Sequence, residues 1–128
     1  GPNLGIISDV GASWFVPNLI GRARANGMGL LGEDIPAKQA KDWGLIWDCV
    51  PDEELIMTCE KIATKLANGP IEGLKAIVKA HDKALAGTLS EQLDYEKETQ
   101  RVRLDSKDFK EGVSAFAEKR KPNFKDLA

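Results

Sequence analysis

Residues 52–121 carry apolar side chains at helical spacing between strong helix start and stop signals, which excludes a mainly β fold. Asn68-Gly69-Pro70 separates two helices, and Thr88-Leu89-Ser90-Glu91 has the pattern of a capping box. The predicted helices run from Asp52 or Glu53 to Ala67, from Pro70 through Leu85, from Thr88 to about Leu104, and from about Ser106 to before Pro122.

The first part of the chain predicts three shorter helices and one or two short strands. The helices span Gly11 to about Ile20, Arg22 to Leu31 and Pro36 to Trp43, and Gly44 suits the left-handed position after the last one. Pro17 predicts a kink or a division into two helical turns. Leu45–Val50 is β-rich and is predicted to be a strand, and Leu4–Ile7 suits a buried strand or an extended entry. The predicted fold class is therefore mainly α.

Asp9 is the only ionisable side chain among the first 21 residues, and it lies between two apolar runs. One interpretation is a helix N-cap, in which its carboxylate accepts from the N–H groups of residues 10–12. The other is a catalytic acid or base whose pKa is set by an apolar pocket. Local sequence leaves both interpretations open.

The overall charge is −2, from 18 basic and 20 acidic side chains, and gives no general attraction for nucleic acid or membranes. Neither a transmembrane span nor a metal site is predicted, and a cytoplasmic location is expected. Cys49 and Cys59 are read as buried, reduced core residues, and His81, the single histidine, as a partly buried structural residue. A Ser-His-Asp or Cys-His catalytic set is therefore not expected.

The basic run Lys119-Arg120-Lys121, flanked by Phe116 and Phe124, allows two interpretations. It can offset the dipole of a helix C-terminus, or it can hold a phosphate beside an aromatic ring that stacks on a purine.

The chain reads as though it begins inside a longer protein, because its predicted strand lacks a good partner. Gly1-Pro2 resembles the remnant of a cleaved tag. Residues 3–51 are predicted to form the end of one core, and residues 52–128 are predicted to form a helical region. Exposed apolar surface is expected around Leu4, Ile6, Ile7, Trp14 and Phe15, and such surface favours self-association, with exchange of segments as one route.

In their order and spacing, several motifs resemble the crotonase (enoyl-CoA hydratase/isomerase) superfamily, over the second half of such a protein. The matching segments are residues 4–13 (LGIISDVGAS), 19–25 (LIGRARA), 30–40 (LLGEDIPAKQA), 43–46 (WGLI) and 109–120 (FKEGVSAFAEKR).

The resemblance implies the C-terminal helical part of a ClpP/crotonase-like α/β spiral fold, assembled as a trimer or a dimer of trimers. The expected substrate is an acyl-CoA thioester, with coenzyme A as part of the substrate and no separate cofactor. It also implies that the backbone donors for the thioester oxygen belong to the preceding half, so this chain alone is expected to be inactive.

The resemblance also assigns roles to individual residues. Asp9 matches the single catalytic carboxylate of a branch of epoxyphenylacetyl-CoA and Δ3,Δ2-enoyl-CoA isomerases, although Ser8 and Val10 depart from its Pro-Asp-Ser-Gly turn. Phe116 and Lys119 match residues that lie near the adenine and the 3′-phosphate of a neighbouring subunit's CoA.

Three functions remain open at this point. The favoured one is an isomerase that shifts a double bond or opens an epoxide, with a place in phenylacetate or fatty acid metabolism. A hydratase is the second, and its diagnostic glutamate falls at Gly1 in this register. A helical oligomerisation module without chemistry is the third.

Overall fold

The computed structural model describes residues 2–127, and their regular structure is helical throughout. The α-helices are α1 (Ala12–Ile20), α2 (Arg22–Leu31), α3 (Ala37–Trp43), α4 (Leu55–Ala67), α5 (Ile71–Ala84), α6 (Leu89–Leu104) and α7 (Lys107–Ala117). Short 3₁₀ turns cover Pro2–Leu4, Asp52–Glu54 and Lys125–Leu127. The mainly α prediction is confirmed, and the predicted helix bounds agree with the structure to within a few residues.

The strand predictions for Leu4–Ile7 and Leu45–Val50 are wrong, because neither segment forms a strand. Gly44 ends α3 in the left-handed conformation, and the N–H groups of Leu45 and Ile46 donate back to the carbonyl of Ala40 at 2.9 and 3.4 Å. Asp48 then accepts from the N–H of Cys49 at 2.8 Å. Residues 45–47 therefore form a bend that caps α3 and residues 48–50 are irregular, because the N–H groups of residues 45, 46 and 49 find local partners and no neighbouring strand. Residues 6–9 are likewise irregular.

The first of two compact units ends at Leu55, and within it α1 packs against α2. Ile20 and Ala40 are its buried side chains. A Cβ at Gly44 would lie 3.5 Å from the carbonyl oxygen of Leu19, and the guanidinium of Arg24 stacks over the ring of Trp43 at 5.2 Å. These contacts join the end of α3 to the end of α1 and to α2.

Pro17 lies within one continuous α1, so the expected division into two helical turns is wrong. Proline removes one backbone donor from the helix. The side-chain amide of Asn18 donates to the carbonyl of Trp14 at 2.7 Å, which adds a local bond in the same turn.

The second unit begins at Ile56, and within it α6 packs against both α5 and α7. The predicted capping box is present: Thr88 Oγ1 accepts from the N–H of Glu91 at 3.2 Å, and Glu91 Oε1 accepts from the N–H of Thr88 at 3.0 Å. Gln92 Nε2 donates to the carbonyl of Ala80 at 2.9 Å and ties α6 to α5. Ala115 on α7 is almost completely buried. This packing positions the end of α7.

Large apolar side chains are widely exposed, as the sequence predicted for residues 4–15. Leu4, Ile6, Ile7, Trp14 and Phe15 are between 45% and 83% exposed. The predicted burial of Cys59 and His81 is wrong, since both are exposed, whereas Cys49 is half-buried; both cysteines are free. Within residues 2–127, no helix is long and apolar enough to cross a bilayer.

Candidate active site

Asp9 opens a tight turn that leads directly into α1. The N–H of Ala12 donates to the carbonyl of Asp9 at 3.0 Å, and Val10 (φ 55°) and Gly11 (φ 86°, ψ −3°) both have positive φ. Two consecutive positive φ values are typical of a type I′ turn. The turn places Gly11, and not Asp9, at the N-cap of α1.

The predicted capping role of Asp9 is therefore wrong. The N-cap position of α1 makes no side-chain hydrogen bond, and the carbonyl of Gly11 accepts from the N–H groups of Trp14 and Phe15 at 3.0 and 2.9 Å. The two left-handed residues separate Asp9 from the first turn of the helix. Its carboxylate is exposed and makes no hydrogen bond with any residue from 2 to 127.

Apolar side chains surround this turn in sequence. Trp14 and Phe15 form an edge-to-face pair with ring centroids 4.9 Å apart. A Cβ on Gly11 would lie 3.0 Å from Cε2 of Phe15 and would crowd the ring, and the positive φ at this position favours glycine. The site is a lone carboxylate on a backbone turn with an exposed aromatic pair beside it.

Val10 stores backbone strain in the turn. A β-branched residue is rarely found at positive φ, and the left-handed conformation costs an L-residue about 1–2 kcal/mol. Val10 is 95% exposed, so packing of its side chain does not offset this cost. Such strain is found preferentially at functional sites.

Replacing Val10 with Asn is expected to raise the thermal unfolding midpoint by about 3 °C, corresponding to about 1 kcal/mol, because Asn tolerates positive φ. Circular dichroism at 222 nm measures the midpoint. Val10→Thr is the matched control, since it keeps the β-branched side chain and is expected to give no gain. An unchanged midpoint for Val10→Asn would show that the turn is unstrained.

The second candidate cluster lies at the end of α7. This helix ends at Ala117, and Lys119 follows in the left-handed conformation with φ 55°. The N–H of Arg120 donates to the carbonyl of Ala115 at 3.0 Å, and the N–H of Lys119 to that of Phe116 at 3.3 Å. These two bonds define a Schellman motif with lysine at the position that usually holds glycine.

Arg120 is held by Glu111, nine residues earlier. Its Nη1 and Nη2 donate to Oε2 and Oε1 of Glu111 at 2.7 and 3.0 Å, and Nε donates to Glu118 at 2.9 Å. The N–H of Asn123 donates to Oε2 of Glu111 at 2.7 Å. The Arg120 guanidinium, and then the Asn123 N–H, lower the pKa of Glu111 to about 2.

This hydrogen-bonded cluster is expected to be lost only in strong acid. Because the pKa of Glu111 falls from 4.5 to about 2 in the folded chain, its contribution to stability is complete above pH 4.5 and disappears as the pH falls to about 2. The chemical shift of the Asn123 amide proton, followed by NMR, should titrate with a midpoint near 2. In Glu111→Gln this transition should be absent, and a wild-type midpoint near 4.5 would contradict the bidentate pairing.

The basic run thus divides into two kinds of residue. Arg120 is committed to two carboxylates, which the sequence analysis did not predict. Lys119 makes no ion pair or side-chain hydrogen bond within the described chain. Phe116, one helical turn before Lys119, is 89% exposed. An exposed ring and an uncommitted ammonium group therefore lie three residues apart in the chain at the end of α7.

Phe116 also lines an open groove of about 480 Å³ within the second unit. Phe109 and Phe124 contribute aromatic surface to it, and the Arg103–Asp108 ion pair, at 3.1 Å, contributes charge. Two other grooves in the same unit, of about 680 and 650 Å³, lie along α5. Asp9 lines none of these three grooves. Phe116 and Lys119 both lie at the end of α7 in the second unit, although Lys119 does not line this groove, whereas Asp9 belongs to the first unit.

The model of the enoyl-CoA hydratase/isomerase family matches residues 1–127, so the chain belongs to this family. It is 47% identical to 1,2-epoxyphenylacetyl-CoA isomerase of Escherichia coli K12 over 94% of the chain and 46% of that protein. It is 41% identical to a probable enoyl-CoA hydratase of Rhodobacter capsulatus over 94% of the chain and 47% of that protein.

The fold is also found in solved structures. Enoyl-CoA hydratase from Bacillus anthracis superposes with a TM-score of 0.90 and 32% identity, over 96% of this chain and 48% of that one. The helical architecture is therefore that of part of a crotonase fold. The chain spans about half the length of the curated relatives it matches.

Proposed function

We propose that this chain is the C-terminal part of an acyl-CoA isomerase in which Asp9 moves a proton on the acyl group. The observation that carries the proposal is the placement of Asp9, a lone exposed carboxylate on a strained turn beside the Trp14–Phe15 aromatic pair. The 47% identity with an isomerase acting on 1,2-epoxyphenylacetyl-CoA supports this choice within the family, as well as a role in aromatic-acid breakdown.

The proposed double-bond shift needs one carboxylate and no second reactant. The ionised Asp9 removes a proton from C2 of a 3-enoyl thioester, and the electron pair of that C–H bond forms the enolate. The protonated Asp9 then returns the proton to C4, and the double bond moves from C3–C4 to C2–C3. Atoms and electrons balance, and the same carboxylate serves as base and then as acid.

The enolate oxygen needs hydrogen-bond donors, which we assign to the half of the relatives' length that this chain does not match. Preorganised donors of this kind are usually the largest catalytic contribution. In our proposal, residues 1–128 alone therefore bind and orient the acyl-CoA substrate but do not convert it to product. The name of the Escherichia coli relative suggests an epoxide of an acyl-CoA as the alternative substrate for the same carboxylate.

Phe116 and Lys119 are proposed to bind the nucleotide end of coenzyme A held by a neighbouring subunit of a homo-oligomer, a trimer or a dimer of trimers. An exposed aromatic ring suits the adenine, and an uncommitted ammonium suits the 3′-phosphate. The wide exposure of apolar side chains supports self-association.

The test of the catalytic proposal is Asp9→Asn in the full-length protein. Loss of isomerase turnover with acyl-CoA binding retained is the expected result, and turnover at the wild-type rate would exclude the role.

A hydratase is the second candidate, favoured by the 41% identity with the Rhodobacter capsulatus protein. Its diagnostic glutamate position, at Gly1, lies outside the described residues. A product analysis separates the two: a hydratase adds water to a 2-enoyl-CoA and forms a 3-hydroxyacyl-CoA, whereas an isomerase incorporates no oxygen from H₂¹⁸O.

A non-catalytic oligomerisation module is the third candidate, and the exposed apolar faces of the helices favour it. Light scattering and calorimetry distinguish it. Defined oligomers of the full-length protein that bind no acyl-CoA would support the module and exclude the enzyme.

A further inference from the structure

One carboxylate folds the segment after α7 back onto that helix. Glu111 accepts two hydrogen bonds from Arg120 and one from the N–H of Asn123, all between 2.7 and 3.0 Å. The Glu111 side chain is only 15% exposed, whereas Glu118, which also binds Arg120, is 61% exposed. The two-point contact with Glu111 is therefore the well-shielded one.

The residue held between these contacts is Lys119. On its N-terminal side α7 ends, and on its C-terminal side the next residue, Arg120, is fixed by Glu111. Lysine at φ 55° gives up the lower-energy backbone conformations that a residue with a Cβ prefers. The Schellman bonds and the Glu111–Arg120 contact together hold Lys119 in this conformation.

We propose that Glu111, acting through Arg120, is a positioning residue that fixes Lys119 for contact with a phosphate monoester on a purine nucleotide. This inference rests on the proposed role of Phe116 and Lys119 in binding coenzyme A. The additional claim is that binding of the ribose phosphate depends on Glu111, whereas binding of the adenine ring does not.

Phe116 and Lys119, the two residues of the proposed nucleotide site, are kept in position by different parts of the structure. Phe116 belongs to α7 itself, next to the buried Ala115, so its backbone position does not depend on the segment that follows the helix. Lys119 lies beyond the helix, and its ammonium is a point charge on a flexible side chain. When its backbone is not fixed, holding that charge at one phosphate costs more conformational entropy. Loss of the Glu111–Arg120 contact should therefore weaken binding of the phosphate more than binding of the adenine ring.

Calorimetry on the full-length protein with coenzyme A and 3′-dephospho-coenzyme A tests the inference. The wild type is expected to bind coenzyme A about tenfold more tightly, as one charged hydrogen bond allows. In Glu111→Gln this preference should fall to less than twofold, while the affinity for the dephospho form stays within twofold of wild type. A general structural defect would weaken both ligands equally.

Glu118→Gln is the matched control, because it also removes a partner of Arg120 but an exposed one, and it should keep the preference. Arg120→Lys, which retains the charge but not the two-point contact, provides a second variant in case Glu111→Gln does not fold. It is expected to lose most of the preference.

The outcomes separate this inference from the proposed function. If Lys119→Ala abolishes the preference for coenzyme A but Glu111→Gln and Arg120→Lys keep it, the positioning role is wrong and the phosphate contact stands. If Lys119→Ala keeps the preference, the proposed contact itself is wrong, and the inference falls with it.

Discussion

Asp9→Asn is expected to lower kcat of the isomerase reaction proposed for the full-length protein by about 10³-fold, within the range that a positioned acid–base group contributes. The amide has nearly the same shape as the carboxylate but cannot accept a proton from C2. The turn should be retained, because its hydrogen bond uses the carbonyl of residue 9 and not the side chain. The equilibration of a 3-enoyl-CoA with its 2-enoyl isomer, followed by absorbance, measures the rate.

Asp42→Asn is the matched control for this substitution. Asp42 is an exposed aspartate of α3 in the same compact unit, and the proposed chemistry does not use it. Its replacement should leave kcat within twofold of wild type. If Asp9→Asn were as active as this control, another group would have to move the proton, and the isomerase mechanism proposed for Asp9 would be wrong.

Combined replacement of Phe116 and Lys119 by Ala is expected to raise KM for an acyl-CoA substrate by about 100-fold. Stacking of one base contributes about 1–3 kcal/mol and a hydrogen bond to a charged group about 1.5–3 kcal/mol. In the proposed site both groups bind the nucleotide far from the reacting carbons, so kcat should change much less than KM. Steady-state kinetics over a wide substrate range separate the two constants.

An acyl-pantetheine substrate is the sharpest control for this prediction, because it keeps the thioester and lacks the nucleotide. Its KM should be the same for the wild type and the double variant. Lys121→Ala, which removes a neighbouring exposed cation, should leave KM for acyl-CoA within about twofold. Equal losses with both substrates would mean that the variant disturbs the fold rather than nucleotide binding.

The helices were predictable because their boundaries depend on neighbouring residues. Thr88 and Glu91 cap each other three residues apart, and Gly32 and Gly44 end α2 and α3 in the left-handed conformation expected of glycine at these positions. The stop at Gly44 was predicted correctly for the same reason. The segment after it was misread, since Leu45–Val50 has strand-forming residues but no strand beside it to bond with.

Side-chain environments were predicted less well. His81 and Cys59 lie on apolar helix faces and were expected to be buried, yet both are exposed. An amphipathic pattern shows which face of a helix seeks a partner, but not whether the same chain supplies that partner.

The candidate site was likewise predictable in part: the sequence indicated which residues to consider, but not their conformation. The amino-acid order drew attention to Asp9, because it is a lone charge between apolar runs, whereas Phe116 and Lys119 were assigned individually through the resemblance to the crotonase family. It did not predict that Asp9 precedes a type I′ turn instead of capping α1, since that depends on the positive φ of Val10.

The Glu111–Arg120 pair could not be predicted by any local rule, because the partners are nine residues apart and meet only after the chain reverses beyond α7. Helix propensity and capping act between residues within a turn of each other, so the sequence was sufficient to place α1 to α7. Ion pairs, backbone strain and burial depend on which distant groups the folded chain brings together. For that reason, only the folded chain shows that Arg120 is committed to Glu111 and that Lys119 is not committed.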